Sequence, residues 1–493
     1  MLRQLSGQEA GFLYADTPHA NANVSLLHIF DQATAAGGVV RFKSVLAHLS
    51  RRLSASPLFR QRLQRVPLGL DHPYWVDDEY FDLEYHVRHI ALPKPGDWRQ
   101  FCIQTSRIHA RALDLDRPLW EAYVIEGLDS FLDLPVGSFA LLLKTHLAAV
   151  GLQQLAQISA LLLDDSADPP PDGPAAPWFA DSPPGPLSLM GRGLAHTAAA
   201  PMQLVRPLTR LVTKVAPAAA ALASEMLLRP QKLPVTRFNS AVSPHRVFET
   251  RRFTEAEFDA IRQLVPGARV DDAVLAVCGG ALRRYLDAQG ELPEGYSLTA
   301  IRPLAWDHAD DELLREQAWR HVKLGTDLAD PLRRLASLQA QASVPPDAVA
   351  RMLGKPDLAS AAALAPAALL AWSRRLAGRA VARMAPLAPT AHCTIAEIPA
   401  PARPLFLCGA RLRYFSAILP ISDGLGLSLA ITRHDGRVVI SPTSCRELMP
   451  DPEVFAQCLR DSFQEYLALA RAAAKPAASR KPAPSKQALR KTV

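Results

Sequence analysis

The stretch Phe139–Asp165 reads FALLLKTHLAAVGLQQLAQISALLLDD. Phe139 to Leu143 is an apolar run of strand length, and Lys144 and His146 follow at its end. Gly151 breaks the pattern. From Leu152 to Leu163 apolar residues recur at three- and four-residue steps, which predicts an amphipathic helix. A strand, a polar loop with one histidine and a returning helix make an α/β unit. His146 then sits in a strand-to-helix loop, where a rigid scaffold can present it to a cleft. On its own, a histidine after a strand is more often a packing residue than a base.

Upstream of this stretch the chain is mixed α/β. LSGQEAGFLY (Leu5–Tyr14) carries Ser6 with Glu9 three residues later, a capping box that opens a short helix. Asn23–Phe30 reads as a strand, and Phe42–Leu53 and Trp98–Leu113 have helical spacing. Pro118-Leu119-Trp120 opens a strand to Ile125, closed by Gly127. Downstream, Asp168–Pro186 holds eight prolines, a composition that favours extended chain over a packed core. Leu187–Leu228 turns apolar and Ala-rich, with Arg192, Arg206, Arg210 and Lys214 along it. That pattern suits an interfacial helix or a crossover helix that snorkels its basic side chains.

A second α/β unit starts near residue 241. Val247–Phe253 reads as a strand and Thr254 as the N-cap of a helix, with Glu257 completing the box. VDDAVLAVCGGALRRYL (Val270–Leu286) is an amphipathic helix. Ser297–Arg302 reads as a strand, Leu324–Asp330 as a short strand-like piece, and Leu332–Ala342 as a helix. Pro345–Pro386 is Ala/Leu-rich and mostly helical. Leu405–Tyr414, Leu427–His434 and Arg437–Ser441 read as strands, the last two joined by Asp435-Gly436, a hairpin signal. Pro452–Ala472 closes the chain as a helix. The expected division is 1–165, 166–240, 241–470 and a tail, 471–493.

The chain has 493 residues, 49% hydrophobic and 21% charged, with a net charge of +7. Length and composition fit two to four globular domains. The tail alone carries Arg471, Lys475, Arg480, Lys481, Lys486, Arg490 and Lys491 with no acid, so the body is formally neutral and does not read as a nucleic-acid binder. The tail itself has the composition of a disordered segment. Six scattered cysteines without a CxxC pair fit a reduced compartment. The N-terminus has no signal-peptide core, and the most apolar window, Leu358–Trp372, is too short to span a bilayer. The expected location is the cytoplasm, with a peripheral place on the inner face of the plasma membrane left open. His86 and His89, only two histidines three residues apart, make a weak metal case and read as structural, not as metal ligands.

Several separate segments, in order, resemble the bacterial wax ester synthase/diacylglycerol acyltransferase family. They are LSGQEAGFLY, Pro57–Leu63, FDLEYHVRH with LPKPG (Phe81–Gly96), PLW with its Gly-Leu end (Pro118–Leu128), LGTDLADPLRRL (Leu324–Leu335), RPLFLCGARL (Arg403–Leu412) and PISDGLGLSLA (Pro420–Ala430). Against the family's HHxxxDG signature the window is Thr145–Gly151. His146 falls on the second His, the family's general base. Thr145 replaces the first His, Val150 replaces the Asp, and Gly151 is kept. Asp271 stands for the family's Asn in its Asn-Asp pair, and Asp272 keeps the Asp. In the SNVPGP-like segment Glu397 replaces the Asn and Ala400 the Gly, while Pro399 and Pro401 stay.

The resemblance implies two α/β halves of the chloramphenicol-acetyltransferase type, joined by the Pro/Ala-rich helical linker, with a tunnel between them. It implies acyl transfer from acyl-CoA, as substrate, to diacylglycerol or a long-chain alcohol, with no metal or other cofactor and contact with a membrane or lipid-droplet surface. His146 would be the base, and Gly151, Pro118, Leu119, Trp120, Asp272, Pro399 and Pro401 would support the motif or line the tunnel. Because Thr145, Val150 and Glu397 depart from the pattern, three readings stand: an O-acyltransferase based on His146, an impaired relative that binds acyl-CoA, lipid or a partner, and an acyltransferase with a different acceptor whose site includes Glu397 or His392. Acceptor identity, acyl length and oligomeric state are not legible.

Overall fold

A computed structural model describes residues 2–130, 134–169, 178–196, 233–303, 319–342, 391–400 and 403–474. The stretch around His146 forms the centre of the first sheet. β7 (Ser138–His146) is buried along its whole length, between β2 (Asn23–Asp31) and β6 (Trp120–Leu128). A strand flanked on both edges and covered on both faces favours a continuous apolar run, which is why Phe139–Leu143 shows no alternation. β5 (Val87–Ala91) extends the sheet beyond β6, and the six strands run β13-β14-β2-β7-β6-β5.

The far edge comes from the other end of the chain. β13 (Phe406–Leu407) and β14 (Ala410–Ile418) form a hairpin, and β14 pairs antiparallel with β2. The sequence division assigned these residues to the second unit; they belong to the first sheet. The single strand expected over Leu405–Tyr414 is interrupted by Cys408 and Gly409, both at positive φ (51° and 83°), the backbone of a two-residue hairpin turn.

The second sheet runs β11-β10-β12-β15-β16-β8, with β9 also pairing β16. Its strands are β8 (Arg246–Phe248), β9 (Arg251–Thr254), β10 (Thr299–Pro303), β11 (Trp319–Lys323), β12 (Cys393–Ile398), β15 (Ser428–His434) and β16 (Arg437–Cys445). The strand expected over Val247–Phe253 is two pieces. Between them the buried Glu249 turns inward, where its carboxylate accepts from Trp98 Nε1 at 2.5 Å and from Thr250 N at 2.9 Å. Leu324–Asp330 is a turn, not a strand: Gly325 (φ 66°) lies under the buried Arg334, where a Cβ would meet that side chain at 2.7 Å. A small sheet of β1 (Arg3–Gln4), β4 (Tyr74–Asp77) and β3 (Gln61–Gln64) completes the set.

Helices cover the sheets. In the first half these are α1 (Gly7–Ala15), α2 (Phe42–Arg52), α3 (Leu83–His86), α4 (Trp98–Ala110) and α5 (Leu155–Leu162). In the second they are α6 (Glu255–Arg262), α7 (Val270–Ala288), α8 (Pro331–Ala342) and α9 (Pro452–Ala474). The capping boxes expected at Ser6/Glu9 and Thr254/Glu257 are formed. The largest core packs α7 and α9 on the second sheet, around Phe258, Tyr285, Phe455 and Phe463. Ala396, Ile398 and Ala430 of the second sheet pack into the first half's core beside Phe415, so the halves meet through side chains there. Most of Leu187–Leu228, all of Pro345–Pro386 and the basic tail after 474 lie outside the described residues; 186–196 is helical. No described helix is long and apolar enough to cross a membrane.

Candidate active site

His146 is the last residue of β7, not part of a loop, and its ring is 1% exposed. Its amide donates to Leu119 O at 3.2 Å, and Leu147 N donates to Ala22 O at 2.9 Å. The chain then makes one tight turn, with Ala149 N and Val150 N both donating to His146 O (2.9 and 3.1 Å). Pro118-Leu119-Trp120 supports this turn. Leu119 packs with Ala148, Ala10 and Trp75. Trp120 is buried, donates from Nε1 to Phe59 O at 3.0 Å and stacks on His86 with ring centroids 4.7 Å apart. His86 Nδ1 bonds Trp120 O at 2.7 Å, and His89 faces Glu126 at 3.0 Å, so both histidines are structural as read.

Both nitrogens of His146 are engaged. Nδ1 accepts from Ala148 N at 3.0 Å, and Nε2 lies 2.9 Å from Asp16 Oδ2. Since Nδ1 accepts, the proton of the neutral ring sits on Nε2 and points at Asp16. Asp16 caps the C-terminal end of α1, and its other oxygen accepts from Ala22 N at 2.8 Å. Sequence reading missed Asp16. It lies two residues past the LSGQEAGFLY segment and 130 residues from His146, and no spacing rule links the two.

The substituted motif positions fall elsewhere. Thr145 is buried and, one residue from His146 in the pleat, points to the opposite face of the sheet. Val150 is 2% exposed and packs in the apolar cluster with Leu147, Leu152 and Leu155. Gly151 takes ordinary extended angles (φ −67°, ψ 157°) and leads into the turn before α5. Asp164, at the far end of that helix, is committed to Arg52 and His48; Asp165 pairs with Arg403. Neither reaches His146 in these contacts.

Below His146 lies a buried polar layer. Lys144, two residues back on the same face, donates to Arg111 O at 2.5 Å and lies 3.6 Å from Glu121. Burial lowers its ammonium from 10.5 to about 8, against the opposing pull of Glu121. Asn23 donates to the same carbonyl at 3.0 Å, and Ser25 bonds His109 at 2.9 Å. Burial holds His109 neutral, well below its ordinary range.

The motif positions of the second half form a separate group. Asp271, Asp272, Glu397 and Pro399 line a cavity of about 330 Å³ with Arg302 and Arg320. Arg433 contacts the Asp271 carboxylate and lies 3.3 Å from Glu397. The two acids that replace motif asparagines are therefore held by one guanidinium. Desolvation raises the Glu397 carboxyl despite Arg433. Asp272 accepts from Arg269 N at 2.8 Å and caps its own helix. His146 is not among the residues that line this cavity. His392 accepts from Thr299 N (3.0 Å) and bonds Pro234 O (2.9 Å), so it is used up in loop packing. Pro401 lies outside the described residues. No described cluster of three or more His, Cys, Asp or Glu could hold a metal ion.

Residues 5–274 match the wax ester synthase/diacylglycerol acyltransferase catalytic domain, and residues 318–466 match the C-terminal domain of the same family. A Mycobacterium tuberculosis protein assigned as a diacylglycerol O-acyltransferase is 29% identical over 94% of this chain and 90% of its own length. A second from that organism is 28% identical over 96% and 99%. Among solved structures, the wax ester synthase/diacylglycerol acyltransferase of Marinobacter aquaeolei VT8 superposes with a TM-score of 0.65 at 23% identity, covering 95% of this chain and all of that one. The trichothecene 15-O-acetyltransferase of Fusarium sporotrichioides gives 0.58 at 11% identity over 95% and 94%. These likenesses bear out the acyltransferase fold with two α/β halves. The chain is an acyltransferase of the wax ester synthase/diacylglycerol acyltransferase family.

Proposed function

We propose that the protein transfers a fatty acyl group from acyl-CoA to the hydroxyl of diacylglycerol or a long-chain alcohol, with His146 as general base. The observation that carries this is the placement of His146: a buried imidazole at the end of the central strand, fixed by hydrogen bonds at both nitrogens, on a turn braced by Leu119 and Trp120. In the reaction the acceptor oxygen attacks the thioester carbonyl as His146 takes its proton. The C–O bond forms, the C–S bond breaks, and the proton passes to the departing thiolate. A positioned base of this kind supplies about 10²–10⁴-fold. The chemistry needs no metal. Both acceptors partition into lipid, so the protein works peripherally, at a membrane or lipid-droplet surface.

The alternative of a binding-only relative rested on Val150. It draws no support from relatives assigned as acyltransferases, and a carboxylate does face His146 from another element. The test is CoA release by the purified protein from palmitoyl-CoA, with hexadecanol or dioleoylglycerol as acceptor, followed with a thiol reagent. Acceptor-dependent release that falls at least about 10²-fold in His146→Ala supports the reading. Equal rates in the two proteins would refute it.

A further inference from the structure

We propose that the cavity at the carboxyl ends of β10 and β12 is a phosphate-binding site, formed by Arg302 and Arg320 with the exposed Arg269 at its rim. The cavity holds about 330 Å³, within the range of about 300–1,000 Å³ usual for ligand pockets. β10, β12 and β15 run parallel. In open α/β sheets ligands collect outside the carboxyl ends of parallel strands.

The sheet register sorts the charges of this cavity by sign. Arg302 of β10 lies directly opposite Arg320 of β11. Residues so paired share a face, with Cβ atoms about 4.5–5.5 Å apart, and like charges there repel. Glu397 of β12 and Arg433 of β15 follow on the same face, since strand residues two apart point the same way. Across the strands the order is therefore Arg320, Arg302, Glu397, Arg433. The acids are committed away from the first pair. Glu397 lies 3.3 Å from Arg433, which also holds Asp271. Asp272 turns back to accept from Arg269 N at 2.8 Å. Desolvation also favours the uncharged form of Glu397.

The β10–β11 end is left with guanidiniums. Arg320 donates to Gln341 O, at the carboxyl end of α8, and Gln341 is pinned in turn to Lys323 N and Lys323 O at 2.9 Å each. That contact fixes Arg320 at the cavity wall. Among the described residues nothing hydrogen-bonds to, or forms an ion pair with, the side chains of Arg302 and Arg269. Two like charges opposed on neighbouring strands cost stability unless an anion shares them. A phosphate does so best. It carries nearly two negative charges and three strong acceptor oxygens, and each guanidinium can give it two parallel hydrogen bonds. A single carboxylate would satisfy one fork and leave the other. A metal cation does not fit, because the three carboxylates are already engaged. An acyl-CoA donor carries this chemistry at its nucleotide end, as a 3′-phosphate and a diphosphate, and inorganic phosphate carries it too. Attribution to the donor rests on the acyl-CoA reading above; the phosphate site itself does not.

The test is calorimetric titration of the full-length protein with inorganic phosphate, CoA and 3′-dephospho-CoA, at low ionic strength where screening is weak. Arg302→Gln is expected to raise Kd about 10-fold or more for the probe that occupies the site, the loss expected for charge-assisted hydrogen bonds. Weakening of CoA but not of dephospho-CoA would assign the site to the 3′-phosphate. Weakening of both would assign it to the diphosphate, and weakening of inorganic phosphate alone to a free anion. Arg302→Lys keeps the charge without the fork and should bind in between. Bound ligand should raise the melting temperature of the wild type but not that of Arg302→Gln. Without ligand this variant should melt no lower than wild type, because a repulsion has gone. Arg269→Gln gives a second reading on an exposed side chain, where folding is not at stake, with an expected weakening of about twofold to fivefold. Binding of all three probes unchanged in Arg302→Gln and Arg269→Gln, or binding of none by the wild type, would overturn the site. A ligand-free Arg302→Gln that melts well below wild type would overturn it too, since the chain itself would then be neutralising the pair. His146→Ala should bind as wild type does. A wild type that binds phosphate through Arg302 but neither form of CoA would keep the site and count against the acyl-CoA reading.

Discussion

Val150 separates two meanings of a lost motif residue. The side chain sits 2% exposed among Leu147, Leu152 and Leu155. A carboxylate there would be desolvated, and no described partner among these neighbours could balance it. Val150→Asp is therefore expected to lower unfolding free energy by at least about 2 kcal/mol in a urea titration, without raising kcat in the CoA-release assay. A gain in rate would show that the turn can swing the new carboxylate onto His146. His28 lies on β2. It is buried against Leu141 O and Ser159, and burial lowers its imidazole from 6.5 to about 4. Between those values the unfolded chain binds a proton that the folded chain refuses, so stability falls as pH drops from 6.5 through 4. The contribution at stake is about 3 kcal/mol. His28→Gln should flatten that part of the urea-midpoint curve, and an unchanged acid limb would assign the loss to other groups.

At the scale of elements, β7 carries both the core and the chemistry, and its two faces explain what was legible. Phe139 to Leu143 announced a buried strand because every residue of it is apolar. Lys144, Thr145 and His146 looked like loop because they are polar, yet they continue the ladder. Their polarity is met inside by Arg111 O, Glu121 and Asp16. Hydropathy reads only the average environment, and buried polar groups with partners are its blind spot. The capping boxes and the Asp435-Gly436 hairpin were readable because their rules are local. The Cys408-Gly409 turn, Glu249's inward turn and the Asp16–His146 pair were not, since each depends on a partner or a backbone angle that spacing does not encode. Lys144 supplies the test at this scale. Its folded-state value near 8, below the ordinary 10.5, means the unfolded chain holds more protons between the two. Stability should therefore rise from pH 8 towards 10.5, by up to about 3 kcal/mol. Lys144→Met should lack this rise in matched urea titrations; the same slope in both proteins would place the titration elsewhere.

Across the whole molecule, the halves are not separable in the way their sequences suggest. A cut near residue 240 looks natural from composition, with a Pro-rich stretch behind it and a fresh α/β pattern ahead. But β14 returns to pair with β2 along Ile418–Arg411, and Leu412, Phe415 and Ala417 complete the first half's core. Asp164 and Phe406 bond each other's backbone in both directions, tying the end of the His146 unit to the same hairpin. Without residues 403–419, β2 becomes an open edge beside exposed apolar surface, the usual template for association between chains. A fragment of residues 1–240 should therefore be aggregated or lack a cooperative thermal transition, whereas the full chain melts cooperatively. Supplying the second half in trans, as residues 241–474, should restore a soluble complex and acceptor-dependent CoA release. A fragment 1–240 that is monomeric by size exclusion and melts cooperatively would show that the first half closes its own sheet and that the returning hairpin is dispensable for folding. The same topology bears on catalysis, because the Asp16 loop is clamped by Asp423 and Arg246 of the second half. The complemented pair should therefore recover kcat only where it also recovers the joined fold.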